Sequence, residues 1–157
     1  GHQVEWTKLL LQLDAHRPAD WHLATATRLY DTAMDRGWDQ DHGGLVYGYA
    51  PDGSFADAHK YFWVQAEALA AAWRLYTRTG EERYRSDYHR LWGWSWDHLI
   101  DHEHGAWFRI TSREGHKVEP YKSPAGKTDY HTMGACWDVL SVMPGAAVWN
   151  ATDRKRK

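Results

Sequence analysis

Two stretches of this chain, HGGLVYGYAPDG at residues 42–53 and HGAWFRITSREG at residues 104–115, follow one pattern at a spacing of 62 residues. Each begins with His-Gly and ends with an acidic residue followed by glycine. An Asp-Gly or Glu-Gly pair between β-prone residues is typical of a tight turn, because glycine readily adopts the positive φ that such turns require. Both stretches are therefore predicted to form short β-hairpins.

Helical periodicity flanks both predicted hairpins. Apolar residues spaced three and four positions apart predict helices that cover residues 4–13, 23–33, 62–76, 84–99 and 132–142. The order of elements is a repeat of helix, hairpin and helix. Because repeated helix pairs bury a continuous core only against their neighbours, this order predicts an all-α toroid or solenoid with hairpin insertions.

The repeat is incomplete, since its first unit starts at a motif helix without a preceding outer helix and hairpin. A length of 157 residues suits one domain. We expect residues 1–150 to form part of a larger helical ring and the basic residues 151–157 to form a solvated tail. The open edge of such a part is expected to be apolar and to pair with a missing N-terminal half or with a second copy.

The composition argues against several functional classes. A formal net charge of -2 gives no electrostatic case for a nucleic acid or membrane partner, and no apolar run approaches the ~20 residues that span a bilayer. The single cysteine, Cys136, rules out an internal disulfide framework and predicts a reducing compartment, the cytoplasm. Eleven tryptophans and nine tyrosines indicate an aromatic core or a flat binding surface, such as one for the apolar faces of a sugar.

The candidate site residues stand at the starts of three helices that occupy equivalent places in the repeat. In a ring of helix pairs, the equivalent ends of the inner helices point at one central cavity, where acid and base groups can meet. The first helix offers His2 and Glu5, three positions apart on one face. The carboxylate can fix the tautomer of the imidazole. The alternative interpretation is a surface pair or the remnant of an expression tag.

The second helix offers Trp63 and Glu67, one turn apart, and His131 stands near the start of the third. Trp63 is a candidate wall of a sugar pocket, and Glu67 is a candidate acceptor for a sugar hydroxyl. The alternative places Trp63 in the core and Glu67 in a cap or an ion pair. The imidazole of His131 is suited to proton transfer near neutral pH, although a capping or core histidine is the competing interpretation.

The consecutive polar residues Asp101, His102, Glu103 and His104 suggest a metal site at first sight. Neighbouring side chains point in different directions, however, and polar residues are expected where a helix turns into a hairpin. His42 stands at the equivalent place in the first repeat. We therefore interpret the cluster as a recurring turn and predict no metal site.

Three motifs, GHQVEW at residues 1–6, HKYFWVQAEAL at residues 59–69 and KSPAGKTDYHTMGACWDVL at residues 122–140, resemble the N-acylglucosamine 2-epimerase superfamily. Within it they are most similar to the branch of mannose isomerases and related aldose–ketose isomerases. The resemblance is colinear from residue 1 to about residue 140. It implies an all-α fold that is the C-terminal part of an (α/α)6 barrel, in a family whose chains are more than twice as long.

The resemblance also implies roles for individual residues. His131 matches the family's acid/base histidine, His2 matches a second histidine that acts in ring opening and proton transfer, and Glu5 matches the glutamate that accompanies it. Trp63 and Glu67 match an aromatic–Gln-Ala-Glu element that lines the substrate pocket. Family members also use residues from the N-terminal half, so this chain alone is expected to be weakly active or inactive.

The implied function is the interconversion of a mannose-like aldose and its fructose-like ketose through a cis-enediol(ate), with a monosaccharide as partner and no metal or redox cofactor. A sugar 2-epimerase of the N-acylglucosamine or cellobiose type would need two bases flanking C2, which His2 and His131 could supply. An inverting glycoside hydrolase would use two carboxylates, for which Glu5 and Glu67 are candidates. The non-enzymatic alternative is an inactive half-barrel that pairs with another chain.

Overall fold

The computed structural model describes residues 1–122 and 129–143 of the chain. Within these residues it contains the helices α1 (His2–His16), α2 (Asp20–Gly37), α3 (Phe62–Thr79), α4 (Glu82–His98) and α5 (Tyr130–Val142). Each predicted helix is confirmed, with its ends shifted by a few residues. The tail predicted at residues 151–157 lies outside the described residues.

Helix α3 lies at the centre of the structure. Its run AEALAAAW at residues 66–73 is rich in the strongest helix formers, and it ends at Gly80, whose φ of 74° forms a left-handed cap. Small side chains let neighbouring helices approach α3 closely. The fully buried alanines of this helix are Ala66, Ala68, Ala70, Ala71 and Ala72.

The helices form two layers. α1, α3 and α5 lie side by side as an inner layer, while α2 packs on α1 and α4 packs on α3 as an outer layer. Tyr30 of α2 and Tyr84 of α4 are both fully buried, and their rings meet edge to face at 5.5 Å. This arrangement confirms the predicted series of stacked helix pairs with hairpin insertions.

The first predicted hairpin is confirmed. The strands β1 (Gly48–Tyr49) and β2 (Phe55–Asp57) pair antiparallel. Between them, Gly53 has a φ of 89°, the left-handed conformation expected for the glycine of a tight turn.

The second hairpin is smaller than predicted. A single bridge between Thr111 and Lys117 spans its turn. Its first strand, β4 (Ile110–Thr111), pairs instead with β3 (Lys60–Tyr61), which belongs to the first repeat. Lys60 explains this pairing, because its buried ammonium group donates a hydrogen bond to the carbonyl oxygen of Arg113 and thereby holds the two repeats together.

The recurring turn predicted before each hairpin is confirmed. Oδ1 of Asp39 accepts hydrogen bonds from the backbone N–H groups two and three residues later, at 3.0 and 3.3 Å. Oδ1 of Asp101, 62 positions further on, makes the equivalent bonds at 3.0 and 3.1 Å. This local network accounts for the polar residues 101–104 as a turn.

Large apolar side chains are exposed on the two end helices of the inner layer. Trp6 on α1 is 57% exposed, and Met133 and Trp137 on α5 are 65% and 70% exposed. These side chains agree with the apolar edge expected for part of a ring. Among the helices of the described residues, none has the length and apolarity needed to cross a membrane.

Candidate active site

The inner helices α1, α3 and α5 begin around one cavity of about 470 Å³. Because the three helices lie side by side in the same direction around the ring, residues near their starts converge there, as the repeat predicts. The side chains that line the cavity are those of His2, Glu5, Tyr47, Tyr61, Phe62, Trp63, Arg109 and His131.

Trp63 lies between the two candidate histidines. Its ring centroid is 5.3 Å from that of His2 and 5.3 Å from that of His131. Phe62 meets His131 edge to face at 6.3 Å. Trp63 and Phe62 thus form an aromatic wall of the cavity, and the two imidazoles stand on either side of Trp63.

Glu67 lies behind this wall and is fully buried, so it does not line the cavity. Its Oε1 is 2.7 Å from Nδ1 of His131, whose side chain is 12% exposed. A carboxylate can only accept a hydrogen bond, so this contact places the proton on Nδ1 and leaves Nε2 of the neutral ring as the acceptor. The structure thus gives Glu67 a contact with the imidazole in place of an open position for a sugar hydroxyl.

Lys8 contacts the other oxygen of Glu67. Its Nζ lies 2.6 Å from Oε2, and both side chains are almost completely buried. The contact is an ion pair without hydrogen-bond alignment. The buried carboxylate therefore has a cation on one side and the imidazole of His131 on the other.

Glu5, Glu67 and His131 form a group of possible metal ligands among the described residues, with their donor atoms within 4.8 Å of one another. The ammonium group of Lys8 stands at this group and opposes the approach of a divalent cation. Both oxygens of Glu67 are also already in contact with neighbouring side chains. The donor set therefore fits proton transfer better than metal binding.

The sequence predictions missed several lining residues. Tyr47 and Arg109 stand 62 positions apart, so they are equivalent residues of the two repeats, and the register of the hairpins could have identified both. Arg109 forms an ion pair with Glu119 at 3.2 Å. Tyr61 also lines the cavity. Burial, with a smaller effect of the Asp57 carboxylate, raises the pKa of its hydroxyl, which therefore remains a hydrogen-bond donor at neutral pH.

Lys8 was missed as well, although its sequence position gives a signal. It stands three residues after Glu5 on α1, so the two side chains share one helix face. What the spacing does not give is the depth of Lys8, because burial depends on how closely α1 packs against α3.

The chain is similar to sugar isomerases and epimerases over most of its length. The family model described as N-acylglucosamine 2-epimerase (GlcNAc 2-epimerase) matches residues 1–135. The chain is 55% identical over 143 residues to a D-mannose isomerase of Marinomonas mediterranea, and the match covers 91% of this chain and 36% of that protein.

Solved structures give the same result. A crystal structure of D-mannose isomerase matches with a TM-score of 0.87 at 56% identity, covering 89% of this chain and 36% of that one. A cellobiose 2-epimerase from Spirochaeta thermophila shares the fold with a TM-score of 0.77 at 18% identity, covering 90% of this chain and 37% of that one. The chain thus spans little more than a third of the length of these relatives, and its helix pairs are part of an (α/α)6 barrel. It belongs to the N-acylglucosamine 2-epimerase family.

Proposed function

We propose that this chain carries catalytic residues of a sugar isomerase that interconverts a mannose-like aldose and its ketose. The observation that carries the proposal is the 2.7 Å contact between the buried Glu67 and Nδ1 of His131, which leaves Nε2 free to act as a base. The 55% identity to a protein named D-mannose isomerase supports the choice of reaction and sugar.

The proposed reaction begins with opening of the sugar ring, in which His2 transfers a proton between the ring oxygen and the anomeric hydroxyl. Glu5 lies one turn away on the same face of α1, where its carboxylate can orient this imidazole. The open-chain aldose then presents its C2–H to His131. The flat face of Trp63, between the two histidines, supports the apolar C–H face of the sugar.

In the central step, Nε2 of His131 takes the proton from C2. The electron pair of the C2–H bond forms the C1–C2 double bond, and the carbonyl π electrons move onto O1, which gives a cis-enediol(ate). O1 then gains a proton and O2 loses one, through a side chain or water, so that the hydroxyl forms at O1 and the carbonyl forms at C2. The electron pair of the C1–C2 double bond moves onto C1, to which His131 returns its proton. Donors that stabilise the charge on oxygen contribute about 3–4 kcal/mol each in comparable sites, and Arg109 and Tyr61 are the candidates.

A 2-epimerase on the same residues would return the proton to the opposite face of C2. His2 and His131 stand on either side of Trp63, so both reactions are compatible with the cavity. The preference for the isomerase comes from the relative at 55% identity, because the N-acylglucosamine 2-epimerase of Bos taurus is 28% identical over 112 residues.

The glycoside hydrolase alternative is less well supported. An inverting enzyme holds its two carboxyl groups about 6.5–9.5 Å apart with a water molecule between them. Here the donor oxygens of Glu5 and Glu67 lie within 4.8 Å, and Glu67 is fully buried. Neither the spacing nor the burial suits this pair of carboxylates for hydrolysis.

We also propose that the isolated chain is weakly active or inactive and that it pairs with an N-terminal half or with a second copy. The relatives are almost three times as long as the matched segment. The exposed Trp6 and Trp137 on the end helices offer apolar surface for such a pairing.

The test uses a chimera in which this chain replaces the matching segment of the Marinomonas mediterranea enzyme. Proton NMR of mannose with the chimera is expected to show ketose formation. The 2-epimer as the sole product would instead favour the epimerase, and a folded chimera that forms neither product would contradict the proposed function.

A further inference from the structure

Lys8 is a buried cation at the candidate active site to which the steps above give no role. Its side chain is 5% exposed, and its Nζ lies 2.6 Å from Oε2 of Glu67. We propose that Lys8 is a positioning residue, which neutralises Glu67 so that the carboxylate can hold Nδ1–H of His131 while the imidazole stays neutral. This inference rests on the proposed function, because it concerns the histidine assigned there as the base.

Lys8 connects the three helices that carry the site. It stands on α1, its ion-pair partner Glu67 stands on α3, and its Nζ lies 5.8 Å from the ring centroid of Tyr130, the first residue of α5. The residue after Tyr130 is His131. The position of this one ammonium group is therefore fixed by the same elements that fix the imidazole.

The charge balance explains why a lysine is needed there. A fully buried carboxylate requires a compensating positive charge, because an unpaired charge in the interior is strongly destabilising. Without Lys8, the nearest compensation for Glu67 is a proton on the imidazole of His131, 2.7 Å away. An imidazolium has no free lone pair and cannot take a proton from carbon. Lys8 supplies the positive charge permanently and so leaves His131 available as a base.

Other charged and titratable groups also face His131. Glu5 and Arg109 line the cavity together with His131, and the guanidinium of Arg109 is itself paired with Glu119. These groups are present in the wild-type protein and in every Lys8 variant. Their effects on the titration midpoint of His131 therefore cancel when the variants are compared. The groups around His131 come from α1 (His2, Glu5, Lys8), α3 (Glu67), the segment before β4 (Arg109) and α5 itself (Tyr130). Asp129, directly before α5, is two residues from His131 in the chain.

The experiment measures the pH titration of His131 in this chain by two-bond ¹H–¹⁵N NMR correlations of its imidazole nitrogens. The signals of His131 among the eleven histidines are identified by their loss in His131→Gln. Lys8→Met is expected to raise the titration midpoint of His131 by about 1 pH unit, since removing a neighbouring opposite charge from the carboxylate strengthens its hold on the proton. Lys8→Gln, which keeps a polar group beside Glu67, is expected to give a rise in the same direction.

The controls separate positioning from a purely structural role. Lys8→Arg keeps the charge and is expected to restore the wild-type midpoint. Lys60→Met removes another buried lysine from an ion pair, with Asp39 at 3.2 Å. The ammonium group of Lys60 contacts Asp39, the carbonyl of Arg113 and the ring of Trp94, none of which lines the cavity. It should lower stability and leave the His131 midpoint unchanged. An unchanged midpoint in folded Lys8→Met and Lys8→Gln, or an equal rise in Lys60→Met, would overturn the role of Lys8. Because the titration midpoint is measured without turnover, a failure of this inference can be distinguished from a failure of the isomerase assay.

Discussion

Glu67 and His131 are 64 positions apart in the sequence, and Oε1 of the first lies 2.7 Å from Nδ1 of the second. The carboxylate is fully buried and the imidazole reaches the cavity. This pair joins α3 to α5 and fixes which nitrogen of the imidazole is left to face the cavity. A base that must meet one carbon-bound proton benefits from such a fixed orientation.

Replacing Glu67 with Gln is expected to lower kcat of the chimera by about 100-fold or more, because the amide no longer selects the Nδ1–H tautomer. The variant should also be less stable, since it leaves the charge of Lys8 buried without a partner. The matched control is Asp39→Asn, which breaks another buried ion pair outside the cavity. The control should lose stability but keep kcat per folded molecule, and equal losses of kcat in both variants would refute the assignment. Steady-state kinetics and urea unfolding measure the two effects.

Trp63→Ala is expected to raise KM for mannose by about tenfold, which corresponds to the loss of one aromatic contact. The aromatic substitution Trp63→Phe should recover much of the loss. Trp96, which is 47% exposed on α4 and does not line the cavity, provides the control variant Trp96→Ala. If KM is the same in Trp63→Ala and Trp96→Ala, the sugar does not stack on this wall.

Stability is expected to fall in acid because of Asp39. Burial alone raises the pKa of this carboxyl, but hydrogen bonds from Arg113, the Asp41 backbone and Lys60 outweigh burial and hold the pKa well below its usual range. A depressed pKa in the folded state means that the stabilisation is complete above about pH 4 and is lost as the pH falls further. The free energy of unfolding in urea should therefore decrease from pH 5 to pH 3. The decrease should be smaller in Asp39→Asn, and an identical slope in both proteins would exclude this contribution.

The apolar edge predicts self-association of the isolated chain. Met133 and Trp137 lie on one exposed face of α5. Sedimentation velocity should show a mass that rises with protein concentration, and the double change Met133→Lys with Trp137→Lys should suppress the rise. The control variant Trp96→Lys, on α4, should show the same rise as the wild-type chain. A compact monomer at all concentrations would contradict self-association through this apolar edge.

The convergence of His2, Trp63 and His131 could be predicted because it follows from the repeat alone. Equivalent helix starts point at one centre whatever the details of packing, and the spacing of 62 residues fixed the turns at Asp39 and Asp101 in the same way. Local patterns of glycine and of helical spacing were sufficient for these features.

The depth of Glu67 and its pairing with Lys8 could not be predicted in this way. Helical spacing shows which face of α3 carries Glu67, but the contact with Lys8 depends on the distance and rotation between α1 and α3. The pairing of β3 with β4 could not be predicted for the same reason, since it depends on how the second repeat packs on the first. Contacts between elements are set by packing, which sequence periodicity describes only in part.

The central claim is that His131 moves a proton between C2 and C1 of the sugar. The most direct test is isomerisation of mannose by the chimera in D₂O, followed by proton NMR of the ketose. The account predicts deuterium at C1 of the ketose and a rate about 1,000-fold lower in His131→Ala, in line with the loss of a general base. Ketose formed at an undiminished rate by His131→Ala would contradict the account.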